Sequence, residues 1–159
     1  MSERKRFQQT LPRKRMAAGC LLFDENGRFL IVQPRYRDDG WLIPGGIVEA
    51  NESPRTTCLR EMREEIGFTW PLKRLLCVDY CAENDERTEA LNFIFLAEPL
   101  SAAAIGQIQL QSEELAAYCF VVPEEATDWL VPPLARRVQA CLPYVGGETA
   151  VYLENQEEA

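Results

Sequence analysis

Gly46-Ile47-Val48-Glu49-Ala50-Asn51-Glu52-Ser53-Pro54-Arg55-Thr56-Thr57-Cys58-Leu59-Arg60-Glu61-Met62-Arg63-Glu64-Glu65-Ile66-Gly67-Phe68 carries most of the information in this 159-residue chain. Ser53-Pro54 reads as a helix start, with Ser53 as the N-cap and Pro54 at the first helical position. Gly67 suits the residue just past a helix end, where a left-handed backbone is needed. The spacing predicts a helix over residues 54–66.

On a wheel of about 100° per residue, with Glu61 at zero, Glu64 falls near 300° and Glu65 near 40°. Leu59, Met62 and Ile66 occupy another arc, so an apolar face can pack on a sheet while an acidic face looks elsewhere. Arg60 stands four residues before Glu64 and can pair with it. Three neighbouring carboxylates repel one another, and on a solvated face such a group has no function. The flanks add a second reading. Glu52 stands just before the helix, and Gly45-Gly46 permit close approach of backbone to a ligand or metal. Hard oxygen donors gathered in this way suit Mg²⁺ or Mn²⁺, which would relieve the repulsion.

Outward from the helix, the chain reads as mostly strands. Ala17–Phe23 and Phe29–Gln33 are apolar runs around Asp24-Glu25-Asn26-Gly27-Arg28, and Asn-Gly predicts a hairpin. Pro34 to Gly40 is a loop. Trp41-Leu42-Ile43-Pro44 is a short strand that Gly45-Gly46 would break. Arg74–Cys81 and Thr88–Ala97 are strands around a polar turn, Ile108–Leu110 is a candidate strand, and Tyr118–Val122 is another. Pro123–Ala126 opens a helical turn. Pro133–Leu142 forms a C-terminal helix with Leu134, Val138, Cys141 and Leu142 on one stripe. Ala150–Leu153 is an added edge strand in a C-terminal extension of residues 146–159. The order of elements predicts an α/β sheet flanked by helices.

Composition restricts the function classes. Hydrophobic content is 47% and charged content 26%, ordinary for one soluble domain. No run approaches the ~20 apolar residues of a membrane span, so no membrane partner is expected. The formal charge of -8 is uneven. Arg4, Lys5, Arg6, Arg13, Lys14 and Arg15 face only Glu3 in the first 15 residues, leaving 11 basic and 24 acidic residues elsewhere. Residues 1–14 read as a basic, solvated arm, and contact with nucleic acid or an acidic substrate is its sharper reading. An acidic body argues against DNA binding, which needs a basic face. It leaves room for a phosphate substrate whose charge bound cations neutralise. The apolar stretch before Cys20 is too short for a signal core. Six cysteines without a C-x-x-C pair, and no histidine, read as reduced, mostly buried thiols of a cytoplasmic protein. The lack of histidine also removes His-based triads.

Residues 46–68 resemble the Nudix box, G-x5-E-x7-R-E-U-x-E-E-x-G-U, where U is a bulky apolar residue. Gly46, Glu52, Arg60, Glu61, Glu64, Glu65 and Gly67 match, and Met62 and Phe68 fill the apolar positions. At about 6% background usage per residue, seven such matches arise by chance on the order of once per 10⁸–10⁹ positions. The element order is similar to a single Nudix domain over residues 15–145, an α/β/α sandwich around a central mixed β-sheet.

The resemblance implies hydrolysis of a nucleoside diphosphate linked to another moiety, X, by water attack at phosphorus. It implies that Glu61, Glu64 and Glu65, with the Gly45 carbonyl, hold Mg²⁺ or Mn²⁺, and that Arg60 and Glu52 brace loop and helix. A box glutamate or Glu114, in the later loop Ser112-Glu113-Glu114-Leu115, would take the proton. Tyr36, Trp41, Tyr80 and Phe93 could stack on a base, and Arg35 and Arg37 could touch phosphate. Each has an ordinary packing or solvated role as its alternative. Glu83 and Asn84 stand where some subgroups carry a Pro or Tyr, so neither the ADP-ribose nor the dinucleoside polyphosphate pattern is supported, and no coenzyme A motif is present. The expected partner is a nucleotide derivative, and a homodimer is left open. Two other readings stay in view: a pyrophosphohydrolase of RNA 5′ ends, suggested by the basic arm, and a non-catalytic nucleotide-sensing domain.

Overall fold

A computed structural model describes residues 1–159. A short exposed helix, α1 (Glu3–Gln9), buries none of its residues. It leads into β1 (Arg15–Leu21), β2 (Phe29–Pro34) and β3 (Gly45–Ile47), followed by α2 (Pro54–Ile66). Next come β4 (Leu72–Cys81), β5 (Ala90–Ala97), α3 (Ala102–Ile105) and β6 (Leu115–Val121). A 3₁₀ turn leads to α4 (Ala126–Trp129) and α5 (Pro132–Cys141), and β7 (Val151–Glu154) and β8 (Glu157–Glu158) end the chain. No helix is long and apolar enough to cross a membrane.

The main sheet has the order β3-β1-β5-β4-β7-β8, and β2 and β6 form a second, antiparallel pair. The main sheet is mixed: β1 runs parallel to β5 and β4 parallel to β7, while β1–β3, β4–β5 and β7–β8 are antiparallel. Side chains alternate across the strands, so two cores form. Leu21, Phe29, Ile31, Leu76 and Ile94 pack with Ala135, Val138 and Cys141 of α5. Ala18, Cys20, Leu22 and Leu30 pack with Cys58, Met62 and Ile66 of α2. The result is the α/β/α sandwich.

Helix α2 starts and ends as its sequence dictates. Ser53 Oγ accepts the Thr56 N–H at 3.1 Å, and Gly67 adopts φ 91° with its N–H on the Arg63 carbonyl. Three expectations are corrected. The Asn26-Gly27 turn forms, with Gly27 at φ 76°, but only Phe23 and Phe29 pair as bridge partners across it. Beyond that point β1 joins the main sheet and β2 pairs with β6, because each strand finds a longer partner elsewhere. Gly45-Gly46 do not break a strand: they are its first residues, running against Gly19 and Ala18. Trp41–Pro44 instead makes single bridges from Trp41 to Leu130 and from Leu42 to Val32, and reaches the main sheet where the Pro44 carbonyl accepts the Cys20 N–H at 2.9 Å. Ile108–Leu110 is not a strand. The Gln109 and Gln111 N–H groups donate to the Ile66 and Glu65 carbonyls at 2.9 and 3.0 Å, satisfying acceptors that a helix end leaves free.

All six cysteines are free, four of them buried. Val151–Glu154 lies beside β4, and its other edge meets β8 at Leu153 and Glu154.

Candidate active site

The acidic face of α2 is organised by one guanidinium. Arg60 Nε donates to Glu52 Oε1 at 2.8 Å, and Nη2 to Glu52 Oε2 and the Ile47 carbonyl, each at 3.1 Å. Its Nη1 donates to Glu61 Oε1 at 2.8 Å and Glu64 Oε2 at 3.1 Å. Glu52 also accepts from the Glu49 N–H at 3.0 Å and Thr57 Oγ1 at 2.7 Å. The loop before α2, the β3 strand and two carboxylates are thereby tied to Arg60. With so many donors, led by Arg60, the Glu52 carboxyl is held down to about 2.

The three helix carboxylates differ in environment. Glu64 is the most open, with 55% of its side chain exposed. Glu61 lies against Gly46, so close that a Cβ built there would stand 2.1 Å from Glu61 Oε1. Burial raises the Glu61 carboxyl, with Arg60 opposing the shift. Glu65 is buried and accepts the Gly45 N–H at 3.1 Å. Burial pushes its carboxyl up to about 8, the Gly45 hydrogen bond opposes this, and the charges of Glu61, Glu114 and Glu64 add to it. It is the Gly45 amide, on this geometry, that meets a helix carboxylate. As arranged, no three acidic side chains converge on a common point, because Arg60 draws Glu61 and Glu64 to itself.

A cavity of about 770 Å³ is lined by Gly45, Gly46, Ile47, Tyr36, Arg37 and Phe93 among others. Tyr36 is 73% exposed. Its hydroxyl is raised by burial and by Glu65, Glu114 and Glu61, with Arg37 opposing, so tyrosine and carboxylates share one electrostatic field. Glu114 is exposed on the loop before β6, and its carbonyl accepts the Arg35 N–H at 2.7 Å.

Other sequence candidates lie elsewhere. Trp41 meets Trp129 edge to face, ring centroids 5.3 Å apart, and does not line the cavity. Arg35 Nε donates to the Ser112 carbonyl at 2.7 Å. Tyr80 donates its hydroxyl to Glu89 at 2.6 Å. Arg37 lines the cavity but is paired with Asp39 at 2.5 Å.

The cavity is also lined by residues that sequence reading did not find: Arg15, Arg87, Arg136, Arg137, Asn155 and Gln156. Behind them Arg137 Nε donates to the fully buried Asp79 at 2.7 Å. Gln156 donates its backbone N–H to Asp79 at 3.0 Å and its side-chain amide to Cys81 Sγ at 3.3 Å. These positions come from β1, the β4–β5 loop, α5 and the C-terminal turn, and no local motif joins them.

Fold and site together define a hydrolase-type domain, with a glutamate-rich helix at the edge of a mixed sheet and a cavity beside it. Residues 13–141 match the family model described as the NUDIX domain. The chain therefore belongs to the Nudix family of hydrolases, whose members generally use divalent metal ions. It is 36% identical over 75 residues to a diphosphoinositol polyphosphate phosphohydrolase 2 of Rattus norvegicus, an alignment covering 47% of this chain and 40% of that protein. The chain spans about 40% of the length of that curated relative. Among solved structures, it resembles a MutT protein of Methanosarcina mazei (TM-score 0.64, 21% identity, 82% of this chain and 96% of that one). It also resembles an ADP-ribose pyrophosphatase of Streptococcus suis (TM-score 0.63, 21% identity, 89% and 99%). At such identities these two likenesses concern the fold alone.

Proposed function

We propose that this protein is a metal-dependent pyrophosphohydrolase that cleaves the diphosphate bridge of a nucleoside diphosphate linked to another moiety. The observation that carries the reading is the seating of Glu61 against Gly46 and of Glu65 on the Gly45 N–H, two glycines that also line the 770 Å³ cavity. The donor set suits a hard divalent ion. Four carboxylates share one field, and burial has pushed Glu65 up to about 8, a condition that a bound cation relieves. Glu61, Glu64 and Glu65 would hold Mg²⁺ or Mn²⁺, with the Gly45 carbonyl as a backbone ligand. Such an ion, when bound, offsets the charge of the diphosphate and acidifies the attacking water.

The remaining work falls to the chain itself. Arg60, fixed by Glu52, positions Glu61 and Glu64. The oxygen of water attacks one phosphorus, the bridging P–O bond breaks, and the bridging oxygen leaves with the other phosphate. The proton of the water passes to a carboxylate, for which Glu114, whose charge acts on Glu61 and Glu65, is our candidate. Tyr36 and Arg37, which line the cavity, would contact the substrate. The expected partner is a small nucleotide derivative, not DNA, given the net charge of -8. Six free thiols suit a reducing compartment such as the cytoplasm.

The test is a panel of diphosphate compounds assayed with Mg²⁺ and with Mn²⁺, with phosphate-ended products identified. Turnover with metal and none after chelation is the expected result. Absence of cleavage with either metal would reject the reading.

A further inference from the structure

We infer that the arginine-bearing part of the cavity is an anion subsite, so that the preferred substrate carries at least one phosphate beyond the diphosphate that is cleaved. This rests on the pyrophosphohydrolase reading and narrows its substrate class. The cavity lining contains five arginines against two acidic residues, Glu86 and Glu157, in a chain whose formal charge is -8. Two of the arginines are already neutralised: Arg37 pairs with Asp39, and Arg137 with Asp79. Arg15, Arg87 and Arg136 form no ion pair. Set against the unpaired Glu86 and Glu157, these three guanidinium groups leave the lining net positive in an acidic chain, which draws anions to it. A neutral sugar or a flat base needs amides and aromatic faces, which Asn84, Asn92 and Phe93 offer. It has no use for uncompensated arginines, whereas the planar fork of arginine matches phosphate in a bidentate way.

The C-terminal turn supports the same assignment. Asn155 and Gln156 both hold positive φ, 51° and 68°, a conformation that residues other than glycine seldom adopt. In exchange, Gln156 Oε1 accepts from Arg136 Nη2 at 3.0 Å, which fixes that guanidinium at the cavity. Asn155 Oδ1 accepts the Ala82 N–H at 3.0 Å, anchoring the turn beside the loop that carries Arg87. Both residues lie beyond residues 13–141, the segment matched by the family model, whereas the three arginines lie within it.

The experiment compares ADP-ribose with its 2′-phosphate, and UDP-glucose with a diphosphoinositol pentakisphosphate, on the full chain. Wild type, Arg15→Gln, Arg87→Gln, Arg136→Gln and the triple variant are measured, with Arg4→Gln on the exposed arm as control. At least one phosphorylated compound should show the lower KM. Each cavity substitution should raise that KM about tenfold, with kcat and the KM of the other compounds little changed. Cleavage of all four with similar KM, insensitive to the three arginines, overturns the anion subsite and leaves the pyrophosphohydrolase reading intact. Cleavage of none rejects that reading instead. Calorimetric binding of the same compounds then decides the subsite: tighter binding of a phosphorylated compound, lost in the triple variant, supports it, and equal binding overturns it.

Discussion

The Gly45 N–H donates to Glu65 Oε2 at 3.1 Å, joining residues 20 positions apart in the chain. This bond fixes a buried carboxylate against the first residue of β3, which itself lies directly on β1. A Cβ at Gly45 would come within 2.4 Å of the Ala18 carbonyl oxygen and 2.5 Å of Gly19 Cα. The neighbouring glycine differs, because its missing Cβ faces the Glu61 carboxylate and no backbone.

The two glycines should therefore fail in different ways. Gly45→Ala has only backbone to displace and should lose about 1–3 kcal/mol of stability, as overpacking does. Gly46→Ala can be accommodated by moving the end of the Glu61 side chain. It should melt near wild type while losing on the order of 10- to 100-fold in kcat, since a displacement of about 1 Å at a reacting centre has that effect. Thermal melts alongside steady-state kinetics on both variants separate the two. Equal activity of Gly46→Ala and wild type would remove Glu61 from the site.

Glu64→Gln and Glu65→Gln should each abolish turnover with the fold intact, as judged by circular dichroism. The amide keeps the size of the side chain and removes the negative charge that a divalent ion needs. Near-normal rates in both would sink the metal-site assignment. Glu114→Gln should lower kcat more than tenfold, and a smaller loss would place the proton acceptor elsewhere.

Acid should weaken the brace around Arg60 late in a titration. The Glu52 carboxyl lies at about 2 in the folded protein against an ordinary value of 4.5. A carboxyl depressed by folding gives stability that is present above its unfolded value and lost as pH falls through its folded value. Wild-type melting temperature should thus drop between about pH 4.5 and 2. Glu52→Gln should be less stable than wild type near neutrality and should lose less over that window. Parallel pH dependence of the two proteins would contradict the assignment.

Arg137→Met leaves Asp79, fully buried, without its cation. Breaking a buried pair from one side should cost about 3 kcal/mol, read by urea unfolding. Adding Asp79→Asn to that variant should recover part of the loss. Failure of the double variant to recover would show that the damage comes from packing of α5 and not from the stranded charge.

Removing residues 1–12 should leave kcat/KM on small diphosphate substrates within about twofold of wild type, because α1 buries nothing. The truncation keeps Lys14, which pairs with Glu89 at 2.5 Å, and Arg15 in the cavity. A larger fall would make the arm part of the site.

Much of α2 was legible because its determinants are local. Ser53, Pro54 and Gly67 mark its ends through hydrogen bonds within one turn, and helical periodicity sorts Met62 and Ile66 from Glu61 and Glu64. Its limits, 54–66, coincide with expectation. Periodicity misled at Glu65: the wheel puts it with the acidic arc, yet it is buried, because β3 lies over that side of the helix. The hairpin at Asn26-Gly27 is a similar case. The turn chemistry is local and correct, while partner choice beyond Phe23 depends on β5 and β6, which arrive some 60–90 residues later.

By itself, the sequence determined the family, the helix and the set of carboxylates, since seven residues at fixed spacing can be read along the chain. Only the tertiary structure decided what stands opposite them. Arg15, Arg87, Arg136 and Gln156 share a cavity because parallel pairing of β1 with β5 and of β4 with β7 brings distant segments to one side. Pairing across such separations is settled by the packing of the whole sheet, and the residues it gathers carry no local pattern that announces them.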